Sequence, residues 1–153
     1  MEEKIRQDLK AAMIAKDETT VSTLRMLISE MTYAKVAKSV ESLSDEDIIS
    51  VIQKEAKKRK ESIDSFTSGG RPELAEKEQV ELKILQKYLP EQISDEELTK
   101  VVEDSITKIT LLSGESKLGM SDMGKVIGMV MGQVGAKAEG ARVSQLVKEK
   151  LTH

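Results

Sequence analysis

The 153-residue chain contains no cysteine and a single histidine, His153. Without cysteine there is no disulfide framework, thiol nucleophile or thiolate metal site. Without an internal histidine, the common zinc constellations and the Ser-His-Asp and Cys-His triads are excluded too. Aromatic residues make up only 2%, with Tyr33, Phe66 and Tyr88 the full set. That scarcity argues against a sheet-rich fold, and against single-stranded nucleic-acid binding by base stacking. No apolar run approaches the roughly 20 residues of a membrane span. The N-terminal Met-Glu-Glu-Lys-Ile-Arg lacks a signal-peptide h-region. The expectation is a cytoplasmic protein with no membrane contact, no metal and no cofactor.

Helical patterning fills the rest. Ile5, Leu9, Ala12 and Met13 mark a first helix ending near Lys16-Asp17, and Val21, Leu24, Leu27, Ile28 and Met31 mark a second. Ser44 precedes Asp45, Glu46 and Asp47 as an N-cap with acidic first-turn residues. The third helix carries Ile48, Ile52, Ala56, Ile63 and Phe66 to the break at Ser68-Gly69-Gly70. Pro72 suits the first position of a fourth helix, and Pro90 would stop it after Leu89. Ser94 with Glu97 repeats the capping logic ahead of Leu98, Val102, Ile106 and Ile109. Residues 112–119 read as a loop, Ser121 as the cap of a sixth helix, and Val143, Leu146, Val147 and Leu151 as a short last one. The class is all-α.

A boundary is expected at Leu89-Pro90-Glu91, giving a four-helix domain over 1–91 and a smaller three-helix domain over 92–153. Charge changes there as well. Residues 91–115 carry two Lys against seven acids, a net of −5, whereas residues 116–153 carry six Lys or Arg against three acids, a net of +3. The overall net of −3 excludes a generic polybasic nucleic-acid binder but conceals this basic C-terminal end.

The richest segment runs from Asp122 to Gly140. Gly124, Gly128 and Gly132 recur every fourth residue beside a stripe of Met123, Val126, Ile127, Val130, Met131 and Val134. Each glycine inside a helix costs about 1 kcal/mol relative to alanine. A glycine face therefore reads either as close helix–helix packing within the fold or as a contact surface for a partner or an RNA backbone. Lys125 lies between two of these glycines, and Lys137 lies in the turn from Gly135 to Gly140. With Arg142 and Lys148 they form a candidate phosphate-contact set. The dense cluster Lys54 to Glu61 reads instead as a solvated, salt-bridged helix face. Within it Arg59 falls in the apolar stripe, where it requires a carboxylate, with Glu30 and Glu81 as candidates. The remaining acids gather at helix starts, where capping explains them. Ser68-Gly69-Gly70 is a turn without the surroundings of a P-loop or amidase signature.

These residues resemble the GatB/YqeY family. The landmarks are Leu24-Arg25-Met26-Leu27, Gln53-Lys54-Glu55 through Arg59-Lys60-Glu61-Ser62, Leu85-Gln86-Lys87-Tyr88-Leu89-Pro90-Glu91-Gln92, Asp122-Met123-Gly124-Lys125-Val126-Ile127-Gly128 and Ala138-Glu139-Gly140. They stand in the family's order and cover essentially the whole chain. The resemblance implies a two-part helical architecture. It also implies kinship with the C-terminal helical and tail regions of the GatB component of aspartyl/glutamyl-tRNA amidotransferase, where the tail is associated with holding the tRNA body. The family's usual proline and lysine after Met131, and a further lysine before Lys137, are replaced here around Gly132, Gln133, Gly135 and Ala136.

The leading expectation is thus a non-catalytic tRNA-binding module. Lys125, Lys137, Arg142 and Lys148 would contact phosphates, and Gly124, Gly128 and Gly140 would allow close approach. The alternative is a protein-interaction adaptor docking through the glycine face and Met120, Met123, Met129 and Met131. A role as accessory to a glutamine-dependent carbon–nitrogen ligase also follows from the resemblance. A self-contained amidotransferase does not, since the chain offers no nucleophile–base set and no nucleotide-binding loop.

Overall fold

A computed structural model describes residues 1–114 and 116–152. His153, and Glu115 within the expected loop, lie outside the described residues. The architecture is all-α, with no strand among the described residues. The helices are α1 (Glu2–Ile14), α2 (Glu18–Lys38), α3 (Asp45–Ser68), α4 (Pro72–Gln86), α5 (Asp95–Ser113), α6 (Met123–Val134) and α7 (Gly140–Thr152). The chain divides into two compact units, one over Met1–Leu89 and one from Pro90 onward.

In the first unit, capping sets the helix starts. The Asp17 carboxylate accepts from the Thr20 amide at 3.0 Å and the Thr20 hydroxyl at 2.6 Å, so α2 begins just after it. Asp17 is therefore a helix start rather than the tail of the first helix. Ser44 and Asp47 form a reciprocal capping box at α3. Pro72 opens α4, where a missing N–H costs nothing. Contrary to the expectation that Pro90 stops it, α4 ends at Gln86. Tight turns follow, in which the Tyr88 and Leu89 amides donate to Leu85 and Gln86 carbonyls. Ile5, Leu24, Leu27, Met31, Ile52 and Leu85 build the core. Each such side chain contributes about 1.5–3 kcal/mol on burial. At the end of α4, the Tyr88 hydroxyl donates to Asp8 Oδ2 at 2.6 Å and pins this segment to α1.

Arg59 is half-buried within the same unit. Its Nη1 lies 3.3 Å from Glu78 and its Nε 3.0 Å from Glu81, both on α4. Its Nη2 donates to Met26 Sδ at 3.5 Å, on α2. The expected architectural pairing holds for Glu81 and gains Glu78, but Glu30 makes no ion pair with it.

The second unit packs Leu98 and Val102 of α5, Val126 and Val130 of α6, and Val143 and Val147 of α7 around one core. Ser94 and Glu97 form the capping box expected at α5. Helix α5 runs 19 residues and carries Leu112 and Ser113 inside the helix instead of the loop. It stops at Gly114, whose φ of +69° is the left-handed conformation that glycine adopts without strain.

Candidate functional site

The C-terminal unit builds its candidate site on α6, the turn that follows it, and α7. Ser121 does not cap α6. Met120–Asp122 forms a 3-10 turn, and the Asp122 carboxylate accepts from the Gly119 amide at 3.2 Å and from the Ser121 hydroxyl at 3.4 Å. A carboxylate is the stronger acceptor here, and it also holds Lys125 Nζ at 3.1 Å. Lys125, then the Gly119 amide, hold the Asp122 carboxyl below the usual aspartate range.

Helix α6 buries Val126, Val130 and Val134 and turns Gly124, Gly128 and Gly132 to solvent. A Cβ added at any of these three glycines would meet nothing within 4 Å. Close helix packing inside the fold is therefore not what they serve. They leave a strip of bare backbone on the outer face, which also presents Lys125. Of the methionines proposed for a docking face, Met120 is exposed, but Met123, Met129 and Met131 pack partly against the core.

Past Val134 the chain turns at Gly135, with φ of +53° and ψ of −130°. That backbone geometry is confined to glycine. The Gly135–Lys137 turn is sewn to the segment ahead of α5. The Ile93 amide donates to the Lys137 carbonyl at 2.8 Å, and Gln92 Nε2 donates to the Ala136 carbonyl at 3.2 Å. The Lys137 side chain is left in solvent with no ion-pair partner among the described residues. Lys148, on the exposed side of α7, is in the same condition. Gly140 opens α7, also exposed and with open space where a Cβ would stand.

Arg142 behaves differently from the other candidates. Its Nε donates to Asp95 Oδ1 at 2.9 Å and its Nη2 to the same oxygen, while Nη1 donates to the Ile93 carbonyl at 3.0 Å. It clamps the start of α5 onto α7 and borders a cleft of about 410 Å³ lined by Asp95, Thr99, Gln145, Leu146 and Glu149. Sequence reasoning assigns Arg142 to phosphate contact and misses its partner. Asp95 is legible only as a first-turn acid. Lys150, the other cation late in α7, is held by Glu103 at 2.6 Å. The two candidates free of internal pairing are therefore Lys137 and Lys148, whereas Lys125, itself exposed, is paired with the buried Asp122 carboxylate.

Among the described residues no helix is long and apolar enough to cross a membrane. Among the described residues no group of three His, Cys, Asp or Glu is arranged to hold a metal ion.

Comparison with known proteins places these features in a lineage. A family model described as Yqey-like protein matches residues 2–151. A protein of Pyrenophora tritici-repentis named altered inheritance of mitochondria protein 41, mitochondrial, is 30% identical over 152 residues, covering 97% of this chain and 77% of the relative. A similarly named protein of Eremothecium gossypii is 35% identical over 85 residues, 56% of this chain but only 46% of the relative. An uncharacterized protein of Schizosaccharomyces pombe is 38% identical over 92 residues, 60% of this chain and 73% of the relative. These relatives are not named as enzymes. Those with descriptive names are mitochondrial, which overturns the cytoplasmic expectation. The physical reason is plain: composition and the absence of a long apolar run do not discriminate among compartments. With the family model matching nearly from end to end, the chain belongs to the YqeY-like protein family.

Proposed function

We propose that this chain is a non-catalytic tRNA-binding module, related to the tail region of the GatB component of the tRNA-dependent amidotransferase. The observation that carries this reading is the free state of Lys137 and Lys148 in the unit that also bares the α6 backbone at Gly124, Gly128 and Gly132. Exposed ammonium groups exchange counterions for phosphates, and a helix without side chains on one face admits a sugar-phosphate backbone closely. Lys125, exposed on the same face, is held at its Nζ by the buried Asp122 carboxylate and adds its charge to the surface from that position. Arg142 is reassigned to positioning, because it holds the Ile93–Asp95 segment against α7. Such a module would serve an amide-forming, carbon–nitrogen ligase activity as an accessory rather than perform it.

The test is binding of unfractionated tRNA by wild type and by Lys137→Gln/Lys148→Gln, across a salt series. The reading expects weaker binding to all tRNA species alike and a salt slope reduced by about two. Unchanged affinity and slope in the double variant would remove this surface from the account.

A second reading, a protein-interaction adaptor, is favoured by one observation. Lys125 is the only charged residue in the twelve of α6, and three glycines face outward with it. A stoichiometric protein partner that survives RNase treatment and is lost in Gly128→Leu would support it.

A further inference from the structure

The sequence suggests that Lys54 to Glu61 is a self-neutralised helix face, and the structure shows a different charge balance. Glu55, the acid in the middle of the cluster, is only 3% exposed. Its carboxylate is directed into the helical unit and is held by Lys58 Nζ at 2.5 Å, which raises the Lys58 pKa. The cluster's central negative charge is thereby committed to Lys58 and does not neutralise Lys54 or Lys57. Lys54 is exposed and has no partner among the described residues. Lys57 is 76% exposed and reaches only Glu61, at 3.9 Å. Lys58 is itself 58% exposed while it reaches back to Glu55. Spacings of three and four residues put Lys54, Lys57 and Lys58 on one face of α3. The acids at Asp45, Glu46 and Asp47 lie two turns or more toward the N-terminus of that helix, and Glu61, one turn past Lys57, is an exposed acid at the C-terminal edge of the same face.

We propose that this lysine face of α3 is a second docking surface for an RNA phosphate backbone, carried by the N-terminal unit. Its partner class rests on the tRNA reading above, but the surface does not depend on the C-terminal residues. Lys54 and Lys57, the two ammonium groups that Glu55 does not hold, lie about 4.5 Å apart along the helix axis, within reach of neighbouring phosphates along one strand, and Lys58 stands beside them, paired to Glu55. With no aromatic side chain among them, contact would be to the backbone and indifferent to base sequence. A protein partner would instead need an acidic stripe of matching length.

The experiment compares wild type, Lys54→Gln/Lys57→Gln and Lys137→Gln/Lys148→Gln as full chains, binding end-labelled tRNA over a salt series. Lys58 is left in place because it holds a buried carboxylate; circular dichroism checks that all three are equally helical. The proposal expects Lys54→Gln/Lys57→Gln to lower the salt slope by about two and to weaken low-salt binding roughly tenfold or more. A wild-type slope and affinity in that variant, alongside a loss in Lys137→Gln/Lys148→Gln, overturns the α3 surface and leaves the C-terminal reading standing. A loss confined to the α3 variant supports this proposal and removes the C-terminal contacts. No binding by wild type even at low salt overturns both.

Discussion

Arg142 reaches from α7 to grip both the Asp95 carboxylate and the Ile93 carbonyl, so one guanidinium fixes the start of α5. The same stretch is tied to the Lys137 turn through the Ile93 amide. The position of a free lysine thus depends on a cation that itself makes a structural contact. Removing the charge alone, in Asp95→Asn, is expected to cost no more than about 1 kcal/mol, since Asp95 stands in solvent. Arg142→Ala also strips the donor from a carbonyl and should cost about 1–2 kcal/mol. Urea unfolding of the two variants checks the order. A larger loss in Asp95→Asn would contradict it.

Arg59 gives the sharpest stability prediction in the N-terminal unit. It stands between Glu78 and Glu81, all three largely shielded from solvent. Arg59→Ala leaves two carboxylates facing each other and is expected to destabilise by about 3 kcal/mol. Replacing all three by leucine removes the desolvated charges together and should recover most of that loss. Thermal unfolding of both variants decides. A triple variant as weak as the single one would mean that packing, and not charge, sets the cost.

The outward glycines of α6 permit a test that separates stability from contact. A methyl group at position 128 has open space around it. Gly128→Ala should therefore stabilise the helix by about 0.5–1 kcal/mol. If the bare strip lies against a ligand backbone, the same substitution weakens tRNA binding while raising the unfolding midpoint. Improved stability with unaltered binding would leave the glycines without a contact role.

Two kinds of group make stability depend on pH in opposite ranges. Glu2, held by Lys35 and Arg6, has its carboxyl below the usual range in the folded state. Asp122, held by Lys125, shares that direction. Their stabilisation is present above the unfolded carboxyl values of about 4 and is lost as pH falls through the lower folded values. Tyr88 is shifted upward, by burial first and then by its bond to Asp8. Its contribution is intact below the unfolded value of about 10 and fades as pH rises toward the folded one. Asp122→Asn should flatten the acid limb of a stability–pH curve, and Tyr88→Phe the alkaline limb. Parallel curves for wild type and variant would contradict these assignments.

Helix existence is legible because apolar periodicity and capping residues agree at nearly every element. Ser44, Pro72 and Ser94 mark starts that the structure reproduces. The misplaced details share a cause. Asp17 and Asp122 act through side-chain bonds three residues away along the chain, and nothing in apolar spacing distinguishes such an acid from a solvated one. Orientation is the harder part. Glu55 and Glu61 look equivalent beside a lysine run, yet one is buried and the other exposed. The glycine stripe suggests packing because small residues often mark helix crossings. Here the valines at 126, 130 and 134 fill the core and the glycines face away from it. At Arg142 the residue type points to phosphate, whereas an acid 47 positions earlier has already claimed it.

The most direct measurement is the affinity of the purified wild-type chain for unfractionated tRNA between low and physiological salt. Counterion release requires the logarithm of affinity to fall linearly with the logarithm of salt concentration. The account predicts binding at low salt with a slope near −3 to −5, for the roughly four to six phosphates that the exposed lysines of both units would neutralise. Absence of binding at low salt, or an affinity indifferent to salt, would contradict it.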